Sequence, residues 1–331
     1  MEIKALRYHE TGKPADVLQL DTLELGQPGP GEALVALRAA VLHPSDLGMI
    51  GGSYGRLRDL PAVAGREGVG EVLAVGEGVK RLSIGDRVRM PEESVLVDAL
   101  CANADDFEKA PADLPVEQAC MAFINPPTAY RILKDFVDLK PGDWIIQNAA
   151  NSAVGQCAIG LAKELGLHSI NLVRDVAKWE GPLKAMGADV VLADGEDFFK
   201  QFGALTGGAK PKLGLNSIGG DSVIKMIRCM AESGVVVTFG GMVGDKVRFP
   251  TRNLIFDDVS LRGFWMDRWG RNATAEQRGE MQHEIHELIR KGVFNMTIAG
   301  KYALADGKQA FEAAQAGSRD GKVIVTGDFT L

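Results

Sequence analysis

Apolar and polar positions follow two different patterns along the chain. Through about residue 120, short apolar runs are separated by Gly and Pro: Ala33–Leu37, Gly70–Gly76 and Asp86–Met90, with a turn signal at Gln27-Pro28-Gly29-Pro30-Gly31. The opening residues Met1–Tyr8 also read as a strand. Short strands with regular turns predict an irregular all-β or barrel-like domain. From Asn125 onward, apolar strands alternate with helix-period segments, the signature of a parallel sheet covered by helices. The predicted strands are Trp144–Gln147, Ser169–Val173, Val190–Leu192, Leu213–Ser217, Val235–Phe239 and Val259–Gly263. After the first strand, Val154, Ala158, Leu161, Ala162 and Leu165 fall on one face of a helix. This α/β pattern fits a doubly wound parallel sheet of the Rossmann type. Past Met266 the pattern predicts a helix over Ala275–Lys291, then strands at Thr297–Tyr302 and Val323–Val325. The expected organisation is a discontinuous β-rich domain, residues 1–124 plus 267–331, interrupted by a nucleotide-binding domain at 125–266.

Composition narrows the function. The chain has 331 residues, 46% hydrophobic and 24% charged, which is ordinary for a globular protein and enough for about two domains. A net charge of −7 argues against nucleic acid and against general attraction to anionic membranes. No apolar run approaches the ~18 residues of a membrane span, and the N-terminus carries no signal or transit pattern. Four cysteines lie far apart with no C-x-x-C, so no zinc ribbon or redox pair is written here. The expectation is a soluble cytoplasmic protein, or a matrix protein if the chain is a processed form.

The first βα turn of the second region reads Gln147-Asn148-Ala149-Ala150-Asn151-Ser152-Ala153-Val154-Gly155. A G-x-G-x-x-G fingerprint would place glycines at 150, 152 and 155, and only Gly155 is present. Ala150 and Ser152 are still small enough for a diphosphate to approach the backbone. A helix N-terminus offers free N–H groups to the anion, and Asn151 and Ser152 add side-chain donors. The second strand ends in Val173-Arg174-Asp175. An acidic residue here would hold the ribose 2′-OH of NAD, whereas an arginine suits the 2′-phosphate of NADP. Arg174 points to NADPH; Asp175, if it faced the ribose instead, would point to NAD.

Four further motifs bear on the family: Gly65-Arg66-Glu67-Gly68-Val69-Gly70-Glu71-Val72, Val75-Gly76-Glu77-Gly78-Val79, Gly85-Asp86-Arg87-Val88 and Pro141-Gly142-Asp143. Together they resemble the medium-chain dehydrogenase/reductase superfamily over essentially the whole chain. The stretch from Asn125-Pro126-Pro127-Thr128 through the phosphate loop to Gln156 is most similar to mitochondrial-type 2-enoyl thioester reductases. Phe239-Gly240-Gly241-Met242 and Arg262-Gly263-Phe264-Trp265 agree with it. The resemblance implies a GroES-like catalytic domain joined to the Rossmann domain, a homodimer, and NADPH-dependent reduction of the C=C bond of enoyl-CoA or enoyl-ACP, with acyl carrier protein a candidate partner. It places the catalytic tyrosine at Tyr54, in Gly51-Gly52-Ser53-Tyr54-Gly55. It further implies cofactor contacts from Asn125, Asn151, Ser152, Ala153, Val154, Arg174, Asp175, Phe239, Gly240, Gly241, Met242 and Lys322. Phe264, Trp265 and Met266 are expected to close over the cofactor at the domain boundary. For Asn125 the bland alternative is an N-cap before Pro126-Pro127. Where the family often has a second arginine after Arg-Asp, this chain has Val176, with Lys178 nearby.

Zinc-dependent alcohol dehydrogenases of the superfamily place metal ligands where this chain has His43, Arg66 and a position near Asn125. A cationic arginine cannot ligate zinc, and a catalytic site needs three protein ligands. No metal is therefore expected. His283 and His286, at i, i+3 on the predicted helix, are expected to have a surface role. The main alternative is an NADPH:quinone or enone reductase acting on small soluble acceptors, and a non-enzymatic dinucleotide-binding role is a third option.

Overall fold

Strand formers packed between glycines build the first region, as Leu34–Leu37 and Val69–Val72 illustrate: the first is buried at every position and the second at every position but Glu71. The computed structural model describes residues 1–243, 246–317 and 319–331. Its first unit opens with β1 (Glu2–Tyr8), α1 (Pro14–Val17), β2 (Leu18–Glu24), β3 (Glu32–Val41), α2 (Pro44–Ile50), β4 (Ala62–Val63) and β5 (Glu67–Val75). There follow β6 (Arg87–Arg89), β7 (Ala99–Asn103), β8 (Glu108–Lys109) and α3 (Val116–Ala119). β1 lies between β2 and β4, and β3 is the hub of the larger sheet, pairing antiparallel with both β5 and β7.

The chain then forms α4 (Asn125–Asp135), β9 (Trp144–Gln147), α5 (Ala153–Glu164), β10 (His168–Val173), α6 (Val176–Met186), β11 (Val190–Ala193) and α7 (Phe198–Thr206). It continues through β12 (Leu213–Asn216), α8 (Ser222–Cys229), β13 (Val235–Thr238), α9 (Thr251–Phe256), β14 (Ser260–Gly263), α10 (Met266–Asn272) and α11 (Ala275–Arg290). These strands form one parallel sheet in the order β11-β10-β9-β12-β13-β14. That is the doubly wound order, with its switch point between β9 and β12, where ligands bind outside the carboxyl ends of the strands. β15 (Ile298–Ala303), α12 (Gly307–Gln315) and β16 (Lys322–Thr326) return to the first unit, where β16 adds to β3. Its core gathers Leu34, Leu37, Val72, Phe107 and Phe311. No described helix is long and apolar enough to cross a membrane.

Three features differ from expectation. The two units are Met1–Phe123 with Met296–Leu331, and Ile124–Asn295. The second break thus falls after Asn295, not after Met266, because α11 packs on α4, where the Tyr130 hydroxyl donates to Glu284. The helix pattern alone could not reveal that partner. α5 is buried over nearly its whole circumference rather than along one stripe, because α4 covers the side that does not face the sheet. On α11, His283 is exposed as expected, but His286 is 8% exposed and lies 2.8 Å from the Gln282 side chain.

Candidate active site

The phosphate loop follows from the strand–turn–helix it joins. Ala149 takes φ 47°, a left-handed conformation that costs an alanine about 1–2 kcal/mol, so the turn is strained at its start. Ser152 caps α5, its Oγ accepting from Gly155 N at 3.2 Å. A Cβ on Gly155 would sit 2.4 Å from the Ala150 carbonyl oxygen, so only glycine lets the helix start this close to the strand. Ala150 is fully buried, while Asn151, Ser152, Ala153 and Val154 are half-buried at the helix N-terminus.

Beneath the loop runs a neutral ladder of amides. Gln147 Nε2 donates to Asn171 Oδ1 (2.7 Å) and to the Gly155 carbonyl (3.0 Å). Asn148 Nδ2 donates to Asn216 Oδ1 (2.7 Å), Asn148 Oδ1 accepts from Ser217 N (2.9 Å), and Asn216 Nδ2 donates to Thr238 Oγ1 (2.9 Å). The ladder fixes the carboxyl ends of β9, β10, β12 and β13 without a charge. It was not anticipated from the sequence; its signal was a polar amide ending two of the apolar strands, Gln147 and Asn216, and a third, Asn171, inside another.

Among the described residues of this unit, the buried Asn125 Nδ2 and Ser217 Oγ have no hydrogen-bond partner. Ile124, not Asn125, occupies the cap position of α4, so capping does not explain Asn125. Asp175 caps α6, its Oδ1 accepting from Lys178 N at 3.0 Å. Arg174 is exposed at the end of β10, with no hydrogen bond or ion pair among the described residues. After β13, Phe239 and Gly240 are half-buried, and Gly241 and Met242 exposed. Phe264 packs edge-on against Phe136, and the Arg271 guanidinium lies over Trp265 beside the half-buried Met266. An anion-ready helix terminus, an uncommitted arginine at the strand end and two unsatisfied buried donors suit a phosphorylated dinucleotide.

The first unit holds a different kind of site. Tyr54 follows α2, its N–H and that of Ser53 donating to the Gly48 carbonyl (3.1 and 2.9 Å). Gly52 takes φ 76°, which lets the chain turn there without strain. Arg66 Nη1 donates to Tyr54 Oη at 2.6 Å, and the guanidinium lies 4.5 Å above the Tyr54 ring. Glu92 accepts from Arg66 Nε at 2.7 Å and from Nη2.

Beside it, His43 Nε2 lies 2.6 Å from Glu67 Oε2 and His43 Nδ1 lies 3.0 Å from Lys322 Nζ. Glu67 Oε1 also accepts from Phe123 N at 2.5 Å, and Asp46 Oδ2 accepts from His43 N at 2.6 Å. Burial holds the imidazole well below its ordinary pKa, and the Lys322 ammonium pushes the same way. The neutral ring then donates from Nε2 to the carboxylate and accepts at Nδ1 from the ammonium, an assignment drawn from the hydrogen-bond network. Burial brings Lys322 down to about 8, against the attraction of Glu67, and raises Asp46. Lys322, named above as a cofactor contact, lies against His43.

A GroES-like β unit interrupted by a Rossmann unit defines a medium-chain dehydrogenase/reductase. Residues 29–112 match the family described as alcohol dehydrogenase GroES-like domain, and residues 153–286 the family described as zinc-binding dehydrogenase. The chain is 38% identical over 338 residues to the mitochondrial enoyl-[acyl-carrier-protein] reductase of Homo sapiens, a match spanning 98% of this chain and 88% of that protein. Its fold is similar to a putative NADPH:quinone reductase from Bacillus thuringiensis, with TM-score 0.89, 27% identity, and 99% and 100% of the two chains covered. It is equally similar to the complex of Etr1p with NADP and crotonyl-CoA, with TM-score 0.89, 27% identity, and 98% and 100% covered. The chain belongs to the enoyl-[acyl-carrier-protein] reductase family. The zinc in one family description does not fit these residues. Arg66 is cationic and held by Glu92, His43 is held by Glu67 and Lys322, and no cluster of three His, Cys, Asp or Glu among the described residues could hold a metal.

Proposed function

We propose that this protein reduces the C=C bond of 2-enoyl thioesters with NADPH. The observation that carries the reading is the close likeness to the human enoyl-[acyl-carrier-protein] reductase, joined to a charge-assisted hydrogen bond on the one tyrosine expected to act as acid. NADPH supplies the hydride to Cβ, and the double-bond pair moves toward Cα and the thioester carbonyl. The Tyr54 hydroxyl gives its proton to Cα and recovers one from water, so that enoyl thioester, NADPH and H⁺ become acyl thioester and NADP⁺. In the dinucleotide unit, the α5 N-terminus takes the diphosphate, Arg174 the 2′-phosphate, and Asn125 and Ser217 supply the remaining polar contacts. Asp175 is committed to its helix cap, which favours NADPH over NAD.

The thioester is carried by coenzyme A or by acyl carrier protein. The chain works as a homodimer, a reading supported by Leu254, Ile255 and Phe256, which stand 54%, 63% and 69% exposed on α9, and by β14 at the sheet edge. Among the described residues none of its cysteines is in a disulfide, which suits the cytoplasm or the mitochondrial matrix. The likeness to an NADPH:quinone reductase favours one second reading, reduction of small quinones. Turnover of crotonyl-CoA and 1,4-benzoquinone, each with NADPH and NADH, tests both. The proposal expects crotonyl-CoA with NADPH to be the best pair by kcat/KM. Quinone turnover without crotonyl-CoA turnover overturns it.

A further inference from the structure

We infer that Arg66 is the residue that lets Tyr54 release its proton: its guanidinium positions the phenol and stabilises the phenolate that forms. The inference rests on Tyr54 being the acid proposed above. A phenol starts from a pKa of about 10, so giving a proton to Cα at neutral pH leaves an anion that the protein must stabilise. Arg66 Nη1 points at the atom where that charge develops, 2.6 Å from Tyr54 Oη. Arg66 is only 2% exposed, so the interaction is screened less than it would be at the surface. Arginine stays charged at any working pH, so it does not compete as the acid.

The aim of the guanidinium is fixed from behind. Glu92 takes Nε and Nη2, the fork side, and leaves Nη1 directed at the phenol. Glu92 is itself held, because its backbone carbonyl accepts from Arg58, which also donates to the Gly65 carbonyl at 2.8 Å, next to Arg66. A plain structural ion pair needs only the Arg66–Glu92 contact; the third N–H on the phenol oxygen is what a role in proton transfer adds.

Arg66→Gln removes the cation. It should lower kcat for crotonyl-CoA by about 10–150-fold, the worth of one hydrogen bond to a charged group, with KM for NADPH unchanged. Arg66→Lys keeps the charge but loses the fork, so its kcat should fall between those of the wild type and Arg66→Gln. In the Tyr54→Phe background, Arg66→Gln should cost nothing further, because the atom it serves is gone. Glu92→Gln, at a half-exposed position, gives the same test without emptying a buried site: a smaller kcat loss with Tyr54 present and none in the Tyr54→Phe background. Full additivity of Arg66 or Glu92 changes with Tyr54→Phe, or wild-type kcat in Arg66→Gln, overturns the inference. If Tyr54→Phe alone leaves kcat intact, the reading of Tyr54 fails instead, and that result is separate from any effect of Arg66.

Discussion

The two units organise buried polarity in opposite ways. The dinucleotide unit uses neutral amides, Gln147, Asn148, Asn171 and Asn216, each bonded across strands. The first unit buries charge: Glu67, Lys322, Asp46 and Arg66, with His43 kept neutral among them. A neutral ladder orients a strand end with no dependence on pH. A buried charged cluster is stable only while every partner is present, since an unpaired ion in the interior is far costlier than a broken neutral bond. Arg174, at the end of β10, is exposed, with no ion pair among the described residues. Under the proposed function, the difference separates holding a ligand from doing chemistry on one.

Removing one partner of the buried cluster should give the largest loss of stability. Glu67→Ala leaves Lys322 without its carboxylate and Phe123 N without its acceptor, and should cost about 3–5 kcal/mol in denaturant unfolding. A loss under about 1 kcal/mol would mean that water already reaches the cluster. On the dinucleotide side, Arg174→Ala should raise KM for NADPH by about 10–150-fold and leave NADH nearly untouched. Equal effects on the two cofactors would remove the arginine from the 2′-phosphate. Asn171→Ala breaks the neutral ladder at β10 but leaves Gln147 its bond to Gly155. About 1–3 kcal/mol should be lost, by the same amount at pH 5 and pH 8. A pH-dependent loss would contradict the contrast between the units.

The pH dependence belongs to the first unit. His43 faces Lys322, Glu67, Asp46, Arg66 and Arg319, and its folded pKa lies well below the ordinary 6.5. Below pH 6.5 the unfolded chain takes up a proton that the folded one refuses, so stability falls as pH falls, by up to about 1.4 kcal/mol per unit. Above 6.5 both states hold the ring neutral and this contribution is constant. The raised pKa of Asp46 acts in the opposite sense, in its own window above 3.8. Measured by chemical unfolding between pH 5 and 7, His43→Gln should flatten the slope; an unchanged slope would place the titration elsewhere.

Much of the dinucleotide unit was legible because a parallel sheet covered by helices writes its strands as continuous apolar runs. The strand from Trp144 to Gln147 agrees to the residue, and the others to within one at either end. The loop was legible despite its missing glycines because Gly155 sits where the packing demands it. The domain break after Asn295 was not, because α11 shows its apolar face to α4, a partner that periodicity cannot name. The buried charged cluster of the first unit was least legible. His43 and Lys322 touch across 279 positions of sequence, and Tyr54 and Arg66 meet from two loops. The available signal was charge set in apolar surroundings, Lys322 before Val-Ile-Val and His43 after Ala-Val-Leu, and it identifies burial but not the partner.

The proton donor is the centre of this account, and replacing it with a residue that lacks only the hydroxyl tests it most directly. For Tyr54→Phe, kcat for crotonyl-CoA should fall about 10²–10⁴-fold, the usual contribution of a general acid, with KM for NADPH unchanged. Reduction of 1,4-benzoquinone, whose anion water can protonate, should change far less. A Tyr54→Phe enzyme that keeps more than about half of its crotonyl-CoA turnover, far outside that range, would contradict the assignment.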